Sequence, residues 1–180
     1  MEMKDHRDIG ADPATVYAAL LDPEVLKAAV PGAQEVTGNP EEGYEAVVMQ
    51  KVGPVRATFR GKVSMSEMVP GERLVIAGEG KGGAAGFAKG GARVTLEPLA
   101  DGGTRLSYEV EARVGGKLAQ LGSRIIDGFA KKMADQFFVN LQAAIEGPVE
   151  DETEAETEAE ADENDGEKKK GWLGKLTGRG

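Results

Sequence analysis

The chain has 180 residues, a formal net charge of −9, one histidine and no cysteine. Its length is enough for one domain with a sizeable core. The absence of cysteine excludes disulfides, thiol catalysis and thiolate metal sites.

The charge is unevenly distributed along the chain. Residues 146–167 hold 12 Asp or Glu, residues 168–180 hold 5 Lys or Arg, and residues 1–145 hold 19 acids and 17 bases. This pattern predicts a near-neutral folded domain over 1–147, an acidic disordered tether over 148–167 and a basic amphipathic tip over 168–180. The polar start predicts no signal peptide, and no apolar run approaches the ~20 residues of a membrane span, so a soluble cytoplasmic domain is expected.

The first part of the chain predicts one strand and two short helices. Residues 1–10 form a weakly alternating strand. Asp12-Pro13 and Asp22-Pro23 each combine an N-cap carboxylate with proline at the first helical position. The second helix is expected to end near residue 29. Alternation of apolar and polar residues then predicts strands over 43–52, 55–65, 72–78, 92–96 and 104–114.

Residues 115–145 show the only long helical pattern in the sequence. An apolar row recurs every fourth residue and consists of Leu121, Ile125, Phe129, Met133, Phe137, Leu141 and Ile145. The opposite arc carries Arg124, Lys131, Asp135 and Gln142 and is expected to face water. Gly147-Pro148 should end the helix. Because the strands need an apolar cover, the sequence predicts an α+β domain in which an antiparallel sheet wraps around this helix.

Four stretches carry a resemblance to a known family. They are DPEVLKAAVPGA (22–33), KVGPVRATFRGKV (51–63), GEGKGGAAGFAKGGARVTL (78–96) and GTRLSYEVEARVGGKLAQLGSRIIDGFAKKMADQFF (103–138). They resemble the CoxG family, an accessory component of molybdenum carbon monoxide dehydrogenases, within the START-like (SRPBCC) helix-grip superfamily. The resemblance implies a helix-grip fold, a bound respiratory quinone and a role in placing the dehydrogenase at the cytoplasmic membrane.

The residues themselves give little support for catalysis. His6 lies among charged residues on a terminal strand, and Glu109 and Glu111 fall on the outward positions of theirs, so all three are expected to be solvated. No metal-ligand spacing is present. Gly78-x-Gly80-x-x-Gly83 fits the dinucleotide pattern, but a strand follows where a helix is required. We therefore predict no catalytic residues, no metal site and no enzyme activity.

A ligand cavity is predicted between helix and sheet. Gly122 and Gly128 interrupt the helix and, on its inner face, would leave a gap. The residues expected to line it are Phe59, Tyr108, Leu118, Leu121, Ile125 and Phe129. Phe87, within the glycine-rich stretch 78–91, would line or gate that space, although a plain mobile loop explains this stretch equally well. Ordinary core packing is the better explanation of the helix from the residues alone; the resemblance favours the cavity.

The C-terminal tip combines cations with interfacial apolar residues. The predicted membrane-contacting residues are Lys168, Lys169, Lys170, Trp172, Leu173, Lys175 and Leu176. Cations suit anionic headgroups, and an indole with leucines suits the acyl boundary. The alternatives are a floppy tail or a protein-docking motif. Nucleic acid is not expected as a partner, because the tether is acidic and the domain has no basic surplus.

Together these features predict a carrier that binds a hydrophobic ligand and sits peripherally at the inner face of the cell membrane. By the resemblance, the ligand is a quinone (menaquinone or ubiquinone), not covalently bound, and the partner is a molybdenum-containing dehydrogenase. The alternatives are a ligand-free adaptor that recruits the dehydrogenase to the membrane, or a helix-grip enzyme acting on an apolar substrate.

Overall fold

The structure, a computed structural model, describes residues 1–147. The predicted tether and basic tip therefore lie outside the described residues. The strands are β1 Glu2–Ile9, β2 Ala33–Asn39, β3 Gly43–Val52, β4 Val55–Val69, β5 Arg73–Lys81, β6 Phe87–Pro98 and β7 Thr104–Gly115. The helices are α1 Pro13–Leu21, α2 Pro23–Ala29, α3 Lys117–Gln120 and α4 over 123–147, with a 3₁₀ turn at Gly83–Ala85.

The strands form one antiparallel sheet in the order β1-β7-β6-β5-β4-β3-β2. The predicted α+β fold, with two short helices after the first strand and a long C-terminal helix, is confirmed. The helix starts are also as predicted. The Asp12 carboxylate accepts a hydrogen bond from the Thr15 hydroxyl at 2.6 Å, and the Asp22 carboxylate accepts one from the Glu24 backbone N–H at 2.9 Å. Each of the two helices has proline at its start.

Parts of the sheet differ from the prediction. The edge strand β2 was not predicted, because its sequence AQEVTGN is mostly polar and only scattered positions are half-buried. β4 continues past residue 65 through a bulge between Ser66 and Val69, where Glu67 adopts a φ of 46°. The glycine-rich stretch 78–91 is mostly strand, so the connection between β5 and β6 is only residues 82–86.

The prediction of one continuous helix over 115–145 is wrong. The chain breaks between α3 and α4 at Leu121 and Gly122, and Gly122 has a φ of +89°, which residues with a Cβ rarely adopt. Gly122 and Gly128 are both exposed, and a Cβ on either would meet nothing within 4 Å. The predicted gap on the inner face at these glycines is therefore also wrong. α4 is helical to residue 147, so its end at Gly147-Pro148 stays a prediction.

The apolar row predicted along the helix is largely turned toward the sheet. Leu141 is fully buried, and Phe129, Met133, Phe137 and Ile145 are half-buried. Ile125 departs from the row, being 40% exposed. On the predicted wet arc, Arg124 and Lys131 are exposed, whereas Asp135 and Gln142 are half-buried. Among the helices within residues 1–147, none is long and apolar enough to cross a bilayer.

Candidate functional site

The concave face of the sheet, on which α4 lies, is divided into a filled half and an open half. In the filled half, large side chains are buried in one cluster with α1 and the later turns of α4. The sheet contributes Ile9, Leu74, Val94, Leu96, Leu106 and Tyr108 to this cluster. Interiors of this kind are close-packed. The filled half therefore anchors the helix to the sheet.

The open half of the same face is lined by small residues. Counting alternate positions along the paired strands from Leu106 and Tyr108 identifies eight inward-facing glycines and alanines. They are Ala57, Gly61, Gly78, Gly80, Ala88, Gly90, Ala92 and Ala112, here called the small-residue floor. All eight are half-buried and none is fully buried. Because these residues carry one side-chain carbon or none, the sheet leaves space beneath the helix that solvent reaches.

Two of the floor glycines show different reasons for lacking a side chain. A Cβ on Gly90 would lie 2.2 Å from the backbone oxygen of Glu111, so the close approach of β7 requires glycine there. A Cβ on Gly80 would meet only the Phe59 Cβ, at 3.8 Å, which is an ordinary contact. The backbone therefore does not demand glycine at position 80, and its missing side chain only leaves room.

α4 crosses the concave face and contacts it on both sides of the floor. On one side, the Gln50 side-chain nitrogen lies 3.8 Å from the Met133 sulfur, and a Cβ on Gly53 would lie 3.5 Å from Ile125 Cγ2. On the other side, the Tyr108 and Phe138 rings stack with centroids 5.2 Å apart. The helix is thus held at its borders and lies over the floor like a beam.

Three of the predicted ligand-lining residues lie on or next to the sheet. Phe59 points inward from β4 and is half-buried, and a Cβ on Gly82 would lie 2.5 Å from its ring. Tyr108 is 5% exposed and belongs to the filled half, at its border with the floor. Leu118 is 3% exposed and fixes α3, which packs on β7 and on the 3₁₀ turn.

The other four predicted residues divide between the two faces. Leu121 and Ile125 lie within 4 Å of a Cβ placed on Gly53, at the β3–β4 turn, and Phe129 is half-buried one turn further along α4. Phe87 pairs with Gly115 and alternates with the inward-facing Ala88, so it points outward. The structure therefore brings Phe59, Leu121, Ile125 and Phe129 to the open half of the concave face, and it places Phe87 on the other face.

A polar cluster that the sequence interpretation missed ties α4 to the edge strand β1. Arg7 points inward from β1, lies 5.4 Å from the centroid of the Phe138 ring, and donates hydrogen bonds to Asp135 and, at 3.0 Å, to Asp5. The only available signal was the inward position of Arg7, two residues before the buried Ile9. The predicted solvated role of Asp135 is corrected, because its carboxylate holds Arg7 at the helix–sheet border.

The electrostatics of this cluster favour its charged state. Burial opposes the charge on Arg7, but the hydrogen bond to Asp5 and the surrounding charges outweigh it and raise the pKa of the guanidinium. The backbone N–H of His6 and the side chain of Arg7 lower the pKa of Asp5. Burial raises the pKa of Tyr108. A polar recess of about 250 Å³ opens beside these groups and is lined also by Lys131 and Asp127.

The groups considered for enzyme chemistry are dispersed on the outside. His6, Glu109 and Glu111 are exposed, as predicted. In residues 1–147 no three His, Asp or Glu side chains lie close enough together to hold a metal ion. The Gly78-x-Gly80-x-x-Gly83 pattern lies on β5 and the 3₁₀ turn and is followed by the strand β6. A dinucleotide fingerprint needs a helix at that point, so this pattern has another role.

The outward face of the sheet has a broad concavity of about 1570 Å³ with charges of both signs. Its lining includes the cross-strand pairs Lys62–Glu79 and Arg93–Glu109, whose signs are complementary. These pairs neutralise one another across the strands. The proposed membrane-contacting residues from Lys168 to Leu176 lie outside the described part of the chain.

Comparison with solved structures identifies the fold. A conserved protein of Geobacillus kaustophilus is 26% identical with a TM-score of 0.75, over 81% of this chain and 95% of its own. A Chromobacterium violaceum protein is 25% identical with a TM-score of 0.59, over 81% and 97%. A START superfamily protein of Mycobacterium smegmatis is 12% identical with a TM-score of 0.61, again over 81% and 97%. The fold is therefore START-like.

Sequence comparison identifies the family. A search of curated proteins finds no match. The sequence model of the family described as the carbon monoxide dehydrogenase subunit CoxG matches residues 6–146, which covers all seven strands and nearly all of α4. The chain thus belongs to the CoxG family.

Proposed function

We propose that the protein is a carrier that holds an apolar small molecule between α4 and the small-residue floor. The observation that carries this proposal is the contrast within one face of one sheet. Its filled half packs large side chains against the helix, whereas its open half presents eight glycines and alanines that are only half-buried. Each methylene of a ligand buried there would contribute about 0.8 kcal/mol.

The family supplies the chemical class of the ligand and the partner. The printed name of the family, which makes CoxG a subunit of carbon monoxide dehydrogenase, supports association with that molybdenum-containing enzyme. The resemblance further supports a respiratory quinone, menaquinone or ubiquinone, held without a covalent bond. The open half suits such a molecule, because Phe59 and Phe129 offer aromatic surface and the floor offers space for an isoprenoid chain.

Membrane contact and location remain part of the proposal. The basic tip at 168–180 would bind the anionic inner face of the cell membrane, with Trp172 at the interface. The protein would then be cytoplasmic and peripheral to the membrane. A flexible tether of about 20 residues spans roughly 25 Å, which gives the domain freedom to exchange its ligand with both membrane and enzyme. The proposed role is transport rather than catalysis, since the candidate acid–base groups are dispersed and exposed.

The experiment is extraction of the full-length protein with organic solvent followed by mass spectrometry of the extract. The delipidated protein is then titrated with ubiquinone-1 and, as the matched control, with the same dimethoxybenzoquinone ring lacking its isoprenoid unit. The carrier proposal expects a co-purified quinone and tighter binding of the prenylated compound. An extract without any apolar small molecule, together with equal weak binding of both compounds, would favour the ligand-free adaptor.

A further inference from the structure

One end of the domain carries a group of exposed cations. The cross-strand row Arg60, Lys81, Phe87 and Gly115 marks this end, and the β3–β4 hairpin, α3 and the start of α4 lie beyond it. Six exposed cations lie in or beyond the row, and they are here called the basic rim. They are Lys51, Arg56, Arg60, Lys81, Lys117 and Arg124. The only carboxylate in the row is that of Glu35 on the edge strand β2.

The arrangement of these cations costs stability. Lys51 lies directly opposite Arg56, and Arg60 lies directly opposite Lys81. Like charges in opposite positions of neighbouring strands repel one another. Elsewhere on the sheet, opposite charges face each other, as in Lys4 with Glu109 and Asp8 with Arg105. The ion pairs found within residues 1–147 include none of the six rim cations.

Charge is therefore separated within a domain that has no basic surplus. The opposite end carries the N-cap Asp12 and the loop residues Glu41, Glu42, Glu72 and Asp101, all of them exposed. Residues 1–145 together hold 19 acids and 17 bases, so the rim reflects placement of charge rather than excess. A dipole of this kind orients a protein with its basic end toward a negative surface.

Exposed apolar side chains accompany the rim cations. Phe87 and Met49 are each 42% exposed on the outward face, and Ile125 is 40% exposed at the start of α4. A Cβ on Gly115 would lie 2.2 Å from the Phe87 ring, so the glycine lets this ring lie flat beside Lys81. Cations interleaved with exposed apolar groups match the headgroup and acyl layers of a bilayer, whereas nucleic acid or an acidic protein would require the cations alone.

We propose that the basic rim is a docking surface for an anionic lipid bilayer. It is a membrane contact of the folded domain, separate from the C-terminal tip. Its purpose rests on the proposed carrier function, because the floor glycine Gly80 and alanine Ala88 lie immediately next to the rim row. Docking by the rim would present the open half of the concave face to the membrane, where an apolar ligand enters or leaves.

The first test is co-sedimentation of the full-length chain with vesicles of phosphatidylcholine and phosphatidylglycerol. The rim variant combines Lys51→Gln, Arg56→Gln, Arg60→Gln and Lys81→Gln. The control variant changes net charge equally at exposed positions elsewhere, with Lys27→Gln, Arg73→Gln, Arg93→Gln and Lys132→Gln. Both are measured with the native tip and with its five basic residues replaced by Gln. The rim variant should lose at least about tenfold in partitioning at low salt, and the control no more than about twofold.

The second test places a fluorescent reporter on the rim. Trp172 is the only tryptophan in the chain, so Trp172→Phe gives a silent background. Phe87→Trp in this background should be quenched by brominated lipid, whereas Val139→Trp, at a site 59% exposed on α4, should not. Equal losses for the rim and control variants, or no quenching at position 87, would overturn the proposal. So would a rim variant that keeps vesicle binding and loses binding to the dehydrogenase, which would make the partner an acidic protein surface.

The same samples separate this proposal from the carrier function. Extraction and mass spectrometry of the rim variant should still yield the apolar ligand, because none of its four substitutions is on the small-residue floor. If the ligand is present and vesicle binding is unchanged, docking by the rim fails and the carrier function stands. If vesicle binding falls about tenfold and no ligand is found in any variant, docking stands and the carrier function fails.

Discussion

Substitution of Gly80 tests whether the space beneath α4 is empty of protein atoms. Gly80→Leu would direct a side chain from β5 toward the helix, and its Cβ would meet only the Phe59 Cβ at 3.8 Å. If the space is open, the leucine replaces a glycine in a strand, a residue that is unfavourable there by roughly 0.5–1 kcal/mol relative to alanine. Its burial adds up to about 1.5–3 kcal/mol. The domain should therefore be as stable as before or more stable by about 1–3 kcal/mol, while ligand binding falls.

The opposite sign is expected if the space is a close-packed core. Inserting a large side chain into such a core costs about 1–3 kcal/mol. Urea unfolding of the delipidated proteins measures the free energy, and titration with ubiquinone-1 measures binding. Thr58→Leu, at an exposed outward position of β4, is the control for added apolar area. Gly90→Ala is the control for steric conflict, since its Cβ would lie 2.2 Å from a backbone oxygen. A destabilised Gly80→Leu protein that still binds the quinone would refute the reasoning.

Three further predictions concern the helix border, the alkaline limit and the tip. Arg7→Met should lower the unfolding free energy by about 1–2 kcal/mol in urea, because it removes the Phe138 contact and leaves Asp135 unpaired, whereas Arg105→Met, which removes an exposed ion pair on the same strand pair, should cost less than about 0.5 kcal/mol. Burial raises the pKa of Tyr108 above its ordinary value of 10.0, so its contribution to stability is full below pH 10.0 and is lost as the pH rises through the folded pKa; Tyr108→Phe should flatten the alkaline decline in unfolding temperature, and an unchanged decline would contradict this. Deleting residues 168–180 should reduce binding to anionic vesicles without changing the unfolding temperature, and Trp172→Ala should weaken binding more than Arg179→Ala; equal binding of full-length and truncated chains would favour a protein-docking tail.

Local patterns predicted most of the fold. The Asp-Pro pairs marked both short helices because a capping carboxylate and a proline act within a single turn. The alternation in 55–65 and 104–114 marked β4 and β7 because one face of each strand is covered. β2 escaped notice since an edge strand with one half-buried valine, Val36, lacks such a contrast.

The site was harder to predict because it depends on register between strands. Gly122 and Gly128 stood out in a helical pattern, but one ends a helical turn and both face water. The glycines and alanines of the floor come from four strands, and only pairing shows that Gly78, Gly90 and Ala112 lie side by side. The same register reveals the like-charged pairs of the rim and places Phe87 on the outward face. Neither feature has a signature within a single strand.

The most direct test of the carrier function is to observe which methyl groups of the protein touch the ligand. The full-length protein is labelled at alanine methyl groups and loaded with ubiquinone-1, and intermolecular nuclear Overhauser effects are recorded. The account predicts contacts to the inward-facing Ala57, Ala88 and Ala112, and none to Ala77, which is exposed on the outward face of β5. Contacts to Ala77 with silence from the floor alanines would contradict the claim that the ligand lies beneath α4.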